Sequence, residues 1–122
     1  MLRTKFNSTK IEFNGHKFDS KLELNIYKKM IELGVEIVAL HPKYKLQETF
    51  KFEGKTYREI TYSADFKIRI NGKEYVIDAK GMETVHFKIK EKLFVYKYQT
   101  KLHKIKSVKD FIRWYEELYK GD

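Results

Sequence analysis

Apolar and polar positions alternate with a helical period near the start of the chain and predict its first helix. The apolar members recur three or four positions apart: Leu22, Ile26, Met30 and Leu33. Ser20 precedes this stretch as a typical N-cap, and Gly34 follows it as a typical helix end. We therefore expect a helix between Ser20 and Gly34.

Strand patterns lie on both sides of that helix. The pair Asn14-Gly15 predicts a short hairpin upstream, and the segment VEIVAL predicts a strand that ends at Pro42. Residues 43–81 are rich in β-branched and aromatic side chains, with turn signals at 53–54 and 71–72. This region predicts an antiparallel meander.

The last third of the chain fits helix, strand and helix. Residues 85–99 suit either period, but their length without a turn residue favours a helix. The segment KLHKI predicts a short strand, and SVKDFIRWYEELYKG predicts a helix capped by Ser107, with Gly121 just beyond its end. The order αββββαβα predicts an α+β (mixed α/β) fold, and residues 1–122 are expected to form one domain.

Composition narrows the classes of protein and of site. The 122 residues include no cysteine, so disulfides and thiolate metal sites are excluded, and a metal would need oxygen or imidazole ligands. No apolar run approaches the roughly 18 residues of a membrane span, which predicts a cytoplasmic protein. The net charge of +9 favours a polyanion such as nucleic acid, although lysine-rich coding produces the same bias.

Two aspartates are predicted to face each other on the hairpin that turns at Asn71-Gly72. A two-residue loop there sets these cross-strand pairs: Ile70 with Lys73, Arg69 with Glu74, Ile68 with Tyr75, and Phe66 with Ile77. One step further out, Asp65 faces Asp78 at about 5 Å. Like charges in that position destabilise a sheet, so a divalent cation between them is the natural occupant.

Lys80 completes a candidate hydrolytic site. It lies two residues after Asp78, so on a strand its ammonium points to the face of both carboxylates. Hard carboxylate oxygens suit Mg²⁺ or Mn²⁺, and the Ala79 carbonyl at the strand edge is a further candidate ligand. Two acids and a lysine around such a cation predict phosphodiester hydrolysis. The alternative is a solvated polar face or a β-bulge that breaks the register.

These residues, in this order, resemble the motif of the PD-(D/E)XK nuclease superfamily. Asp65 in SADF matches its first acid, and Asp78 and Lys80 in IDAK match its second acid and its lysine. Glu23 matches the acid often contributed by the first core helix, although Ala64 stands where proline is common. The resemblance implies a restriction-endonuclease-like αβββαβ core with a mostly antiparallel sheet flanked by helices, and Mg²⁺ or Mn²⁺ as cofactor.

A closer likeness is to small phage-encoded endonuclease-like proteins, through FDSKLE, ADF and DAKG. Small basic members of the superfamily include Holliday junction resolvases, which are homodimers. The resemblance therefore implies a DNA endonuclease that acts on branched DNA in phage or mobile-element DNA processing. The alternatives are a restriction-type, nicking or transposon-end nuclease acting on duplex DNA, and an inactive nucleic-acid-binding module.

Glu23 has two interpretations. Ser20 and Glu23 have the spacing of a capping box, in which the Glu23 carboxylate accepts the Ser20 amide. The same carboxylate could also reach the metal, directly or through a water. Both interpretations stay open at this point.

Other polar residues offer weaker signals. We expect Lys88, Lys90 and Lys92 to contact DNA phosphates from the helix after the motif, although a charged helix face is often only solvated. The four histidines show no ligand spacing, although His41 or His86 could approach the site. The apolar side of the last helix, around Trp114, predicts core or dimer contact.

Overall fold

The computed structural model describes residues 10–121 as a mixed α+β fold around a four-stranded sheet. Its elements, in chain order, are β1 Ile11–Phe13, β2 His16–Phe18, α1 Lys21–Leu33, β3 Glu36–Leu40, β4 Lys43–Gln47, β5 Phe50–Phe52, β6 Lys55–Tyr57, β7 Ile60–Ser63, β8 Phe66–Ile70, β9 Lys73–Ala79, α2 Val85–Tyr98, β10 Leu102–Ile105 and α3 Val108–Gly121. None of the described helices is both long and apolar enough to cross a bilayer.

The central sheet has the strand order β10-β9-β8-β3. Its strands β3, β8 and β9 are antiparallel neighbours, and β10 is parallel to β9 because α2 crosses over between them. Taken with α1, the elements of this sheet follow one another along the chain as αβββαβ. The predicted α+β class, with a mostly antiparallel sheet flanked by helices, is confirmed.

The predicted register of the β8–β9 hairpin is also confirmed. The observed partners are Ile70 with Lys73, Arg69 with Glu74, Ile68 with Tyr75, Lys67 with Val76, and Phe66 with Ile77. Asn71 and Gly72 both have positive φ, at 51° and 81°, as a tight primed turn requires. No bulge interrupts these five pairs, and the recorded pairing ends at Phe66 and Ile77, one step before the two aspartates.

Helices cover both faces of the sheet. On one face α1 and α3 pack onto alternate residues of β8 and onto β9, and the fully buried side chains there are Phe18, Ile26, Met30, Phe66, Ile68, Ile77 and Phe111. On the other face α2 packs with Phe87 and Phe94 against Val76 and Leu102. Since side chains alternate along β9, Asp78 shares the α2 side with Val76.

The predicted meander is wrong in its pairings. Strand β4 pairs with β7, and β5 pairs with β6, so residues 43–63 form a two-stranded arm beside the sheet. Tyr44 and Leu46 on β4 belong to the cluster around Phe94 of α2, which attaches the arm to that helix. Alternation along a segment predicts a strand but does not select its partner, and burial against α2 decided the pairing.

The helix termini follow the predicted capping residues closely. Gly34 ends α1 with φ 74°, and Ser107 Oγ accepts the Asp110 amide at 3.0 Å at the start of α3. Thr84 caps α2 by accepting the Phe87 amide at 3.0 Å, so the ambiguous segment is the expected helix. Helix α3 includes Gly121, one residue further than predicted.

Candidate functional site

Asp65 and Asp78 meet at the open end of the β8–β9 hairpin. The Asp65 amide donates at 3.1 Å to the carbonyl of Ile77, which is the partner of Phe66, so the regular pairing of the hairpin ends just before the two aspartates. The Ala79 amide donates to Asp65 Oδ2 at 2.7 Å, and the Asp65 and Asp78 carboxyl groups are close enough to interact. The structure therefore brings together the two acids that the sequence placed opposite each other.

Burial sets the electrostatics of this pair. Asp78 is only 2% exposed, so it is not part of a solvated polar face. Burial raises the pKa of Asp65 far above its ordinary range, and the nearby carboxylates of Asp78 and Glu23 raise it further.

Glu23 takes part in both the helix cap and the acidic site. Ser20 Oγ accepts the Glu23 amide at 3.1 Å, as predicted, but Glu23 Oε1 accepts the Asp19 amide at 2.7 Å instead of the Ser20 amide. The other oxygen, Oε2, lies 2.6 Å from His41 Nε2. Glu23 is 1% exposed, and burial raises its pKa. The two interpretations of this residue are therefore compatible.

His41 and Asp19 join the acids, although sequence reasoning did not select them. His41 has φ 53° in the turn after β3, and its amide donates to the Asp65 carbonyl at 3.0 Å. One ligand atom from each of Asp19, Glu23, His41 and Asp65 lies within 4.8 Å of the others. Histidine spacing gave no signal, but His41 directly follows the strand that pairs with β8.

Tyr62 is a third residue that the sequence did not reveal. Its hydroxyl donates to Asp78 Oδ2 at 2.5 Å, and the side chain is buried beside Phe87 and Phe94. Burial raises the pKa of Tyr62, and the Asp78 carboxylate raises it further, so the phenol keeps its proton. Tyr62 thereby fixes one oxygen of Asp78 and leaves the other for a ligand.

Lys80 lies where its spacing from Asp78 predicted. Its ammonium Nζ is 4.0 Å from Asp78 Oδ2 and 4.5 Å from the centre of the Phe87 ring. The Lys80 amide donates to the Ile105 carbonyl at 2.9 Å, which holds the backbone against β10. Phe87 therefore positions the cation beside the acids through a cation–π contact.

The donor set suits a hard or borderline divalent cation. The ligand atoms that lie together are carboxylate oxygens of Asp19, Glu23 and Asp65 and an imidazole nitrogen of His41, a combination that accepts Mg²⁺ and especially Mn²⁺. Asp78 adjoins this cluster beside Asp65. Glu23 and Asp78 are buried and Asp65 is half-buried, and one nearby lysine leaves these acids with negative charge that a cation would neutralise. The Ala79 carbonyl as a ligand stays a prediction.

The three lysines predicted to bind DNA do not share one side of α2. At 100° per residue, Lys88 and Lys92 lie on one flank of the buried Phe87, and Lys90 lies on the other. The side chains of Lys88 and Lys92 are exposed, and Lys90 is half-buried. Lys90 lines a cleft of about 430 Å³ between α2 and the arm, with Glu59, Ile60, Thr61, His86, Ile89 and Leu93.

Comparison with known proteins gives a family but no described activity. No curated protein and no solved structure matches the chain. One family model matches residues 3–112, which is most of the sequence and includes every acid of the site and Lys80. The chain belongs to the family described as "Protein of unknown function (DUF1064)".

Proposed function

We propose that this protein is a metal-dependent DNA endonuclease of the PD-(D/E)XK type. One observation carries the proposal: Asp65 and Asp78 lie beside each other at the end of the β8–β9 hairpin, and the Lys80 ammonium lies 4.0 Å from Asp78. The αβββαβ order of the core supports the same superfamily. Fold alone does not give function, so the proposal depends on the site.

The proposed reaction is hydrolysis of a DNA phosphodiester. A water oxygen forms a bond to phosphorus, and the bond from phosphorus to one sugar oxygen breaks. Mg²⁺ or Mn²⁺, when bound by Asp65, Asp78 and Glu23, would supply positive charge and lower the pKa of water. Lys80 adds a fixed positive charge beside the phosphate, where negative charge develops in the transition state.

The remaining site residues hold these acids in place. Tyr62 donates to Asp78, the Ala79 amide donates to Asp65, and the Asp19 amide donates to Glu23. His41 fixes the second oxygen of Glu23 and is close enough to take part in metal binding. Such supporting contacts keep catalytic carboxylates in one geometry before the substrate arrives.

The positive charge of the chain supports DNA as the substrate. With a net charge of +9, the protein attracts polyanions, and the exposed lysines Lys88 and Lys92 on α2 are proposed phosphate contacts. We further propose that the substrate is branched DNA and that the protein acts as a homodimer that cuts two strands. We propose that it acts in the cytoplasm, which is that of the host cell if a phage encodes the protein. These finer points derive from the resemblance to small junction-cutting nucleases.

The test is cleavage of an end-labelled four-way junction beside its matching linear duplex, with Mg²⁺, with Mn²⁺ and with a chelator. Metal-dependent cutting of the junction alone supports the whole proposal. Cutting of both substrates supports the nuclease and removes the preference for branched DNA. Salt-sensitive binding with no cutting under either metal would replace the nuclease by a DNA-binding module.

A further inference from the structure

The tip of the arm exposes an aromatic surface that the proposed hydrolysis does not use. In the part of the chain that the structure describes, β5 and β6 pair only with each other. Phe50 lies opposite Tyr57, and Phe52 lies opposite Lys55, so these four side chains share one face of the hairpin. Phe50 is 45% exposed and Phe52 is 61% exposed. We call this face the hairpin platform.

The hairpin platform contains two parallel aromatic rings and a cation. The rings of Phe50 and Tyr57 stack with centroids 4.9 Å apart and an angle of 11° between their planes. The Lys55 ammonium lies 5.1 Å from the centre of the Tyr57 ring. Stacked aromatic rings with a neighbouring cation are the elements from which proteins build surfaces for single-stranded nucleic acid.

The segment around the platform, residues 48–59, carries three cations and three acids, and two of the acids, Glu48 and Glu59, pair with Lys45. Lys51, Lys55 and Arg58 are all exposed on or beside the hairpin, and within residues 10–121 no ion pair joins any of them to an acid. DNA supplies phosphates for the cations and base faces for the rings.

The arm connects the platform to the acidic site. At its base, the His41 amide donates to the Asp65 carbonyl, and the Ala64 amide donates to the Pro42 carbonyl. Lys45 pairs with both Glu48 and Glu59 at 3.3 Å, which ties the two strands together at the start of the hairpin. At about 3.3 Å per residue, Tyr57 is at most about 26 Å along the chain from Asp65.

We propose that the hairpin platform stacks unpaired DNA bases within about eight nucleotides of the bond that the acidic site cuts. Bases inside a continuous duplex are covered by their neighbours, so only DNA with an unpaired segment offers a free base face. The inference rests on the proposed nuclease function and favours, as its substrate, DNA with an unpaired segment near the cut bond, such as a flap or a gap, over a fully paired four-way junction.

The test uses 2-aminopurine, whose fluorescence falls when it stacks, in the unpaired segment of a gapped duplex and in the matching complete duplex. Binding is measured in chelator, so that no strand is cut, for the wild type, Phe52→Ala, Phe52→Trp and Tyr119→Ala. Tyr119 is a matched control, because it is 60% exposed and lies on α3. Circular dichroism verifies that each variant is folded.

We expect the wild type, Phe52→Trp and Tyr119→Ala to quench the probe in gapped DNA. Phe52→Ala should lose the quenching. It should also bind the gapped substrate at least about fivefold more weakly, which is the lower end of the range of affinity losses expected when one stacked base is lost. Unchanged quenching in Phe52→Ala, or equal behaviour of gapped and complete duplex with the wild type, would overturn the platform. A change from dimer to monomer in Phe52→Ala, with unchanged quenching, would also overturn it and assign the face to self-association.

Cleavage in Mn²⁺ by the wild type separates the two proposals. If the wild type cuts DNA and Phe52→Ala still quenches the probe, the role of the platform is contradicted and the nuclease function is supported. Loss of quenching in Phe52→Ala supports the platform whether or not the wild type cuts, and the absence of cutting then counts against the nuclease alone.

Discussion

The Tyr62 hydroxyl donates to Asp78 Oδ2 at 2.5 Å in the interior of the protein. This contact connects the arm, which carries Tyr62 on β7, to the second acid of the proposed metal site on β9. Because the hydroxyl is fixed by packing against Phe87 and Phe94, it holds the carboxylate in one orientation. A ligand that approaches Asp78 therefore meets an oxygen that is already in place.

Tyr62→Phe should weaken the site without unfolding the protein. The ring and its packing remain, but Asp78 loses the donor that orients it, and supporting contacts of this kind change metal affinity or activity by about 10- to 100-fold. Calorimetric titration with Mn²⁺ measures the affinity. Tyr44→Phe is the matched control, since Tyr44 packs on the same Phe94 ring and its buried hydroxyl has no hydrogen-bond partner among the described residues. Equal losses in both variants would contradict a specific role for Tyr62.

The stability of the metal-free protein should fall as the pH rises. Burial, together with Asp78 and Glu23, raises the pKa of Asp65 from its ordinary 3.8 to about 9. Between these values the folded protein keeps a proton that the unfolded chain has lost, so the free energy of unfolding decreases with increasing pH. Thermal unfolding in chelator at pH 5, 7 and 9 measures the trend.

The same unfolding experiment also tests a variant and the effect of added metal. Asp65→Asn cannot titrate, so its melting temperature should depend less on pH over this range than that of the wild type. Mg²⁺ or Mn²⁺ should stabilise the wild type most at pH 9, where the protons leave most readily. If the wild type and Asp65→Asn had the same dependence on pH, the raised pKa would have to belong to another group.

His41→Ala should reduce Mn²⁺ affinity or cleavage activity by about 10- to 100-fold. The imidazole lies 2.6 Å from Glu23 Oε2, so its loss releases that carboxylate and removes the nitrogen donor of the cluster. The control is His16→Ala, because His16 is exposed on β2 and contacts the Tyr27 ring. An unchanged Mn²⁺ affinity and activity in His41→Ala would place the histidine outside the site.

Lys80→Ala should slow turnover about 10²- to 10³-fold, the usual effect of removing a group that stabilises transition-state charge. Affinity for DNA should change little, because one lysine is a small part of the charge on this protein. Single-turnover rates and anisotropy titrations separate the two effects. Lys73→Ala, at the distant turn of the same hairpin, is the control. A loss confined to DNA binding would reassign Lys80 to phosphate anchoring.

The predictable part of the fold came from local signals. The Asn71-Gly72 turn fixed the β8–β9 register, and with it the meeting of Asp65 and Asp78, because a two-residue loop allows one set of partners. Helix α1 followed from its apolar spacing and from the cap at Ser20. In each case the residues that decide the structure are close together along the chain.

The unpredicted part depends on contacts between distant segments. The pairing of β4 with β7 results from packing against α2, which begins more than twenty residues after β7 ends. His41 and Tyr62 reach the acids only after β3 and the arm have been placed in space. No spacing rule within the sequence brings these side chains to Glu23 or Asp78.

The central claim is that Asp78 belongs to a metal-dependent hydrolytic site. The most direct measurement is single-turnover cleavage of the labelled four-way junction with Mn²⁺, by the wild type and by Asp78→Asn, with circular dichroism to establish folding. We expect the wild type to cut only when the metal is present, and the folded Asp78→Asn variant to bind the DNA without cutting it. Equal cutting by the two proteins would contradict the site assignment.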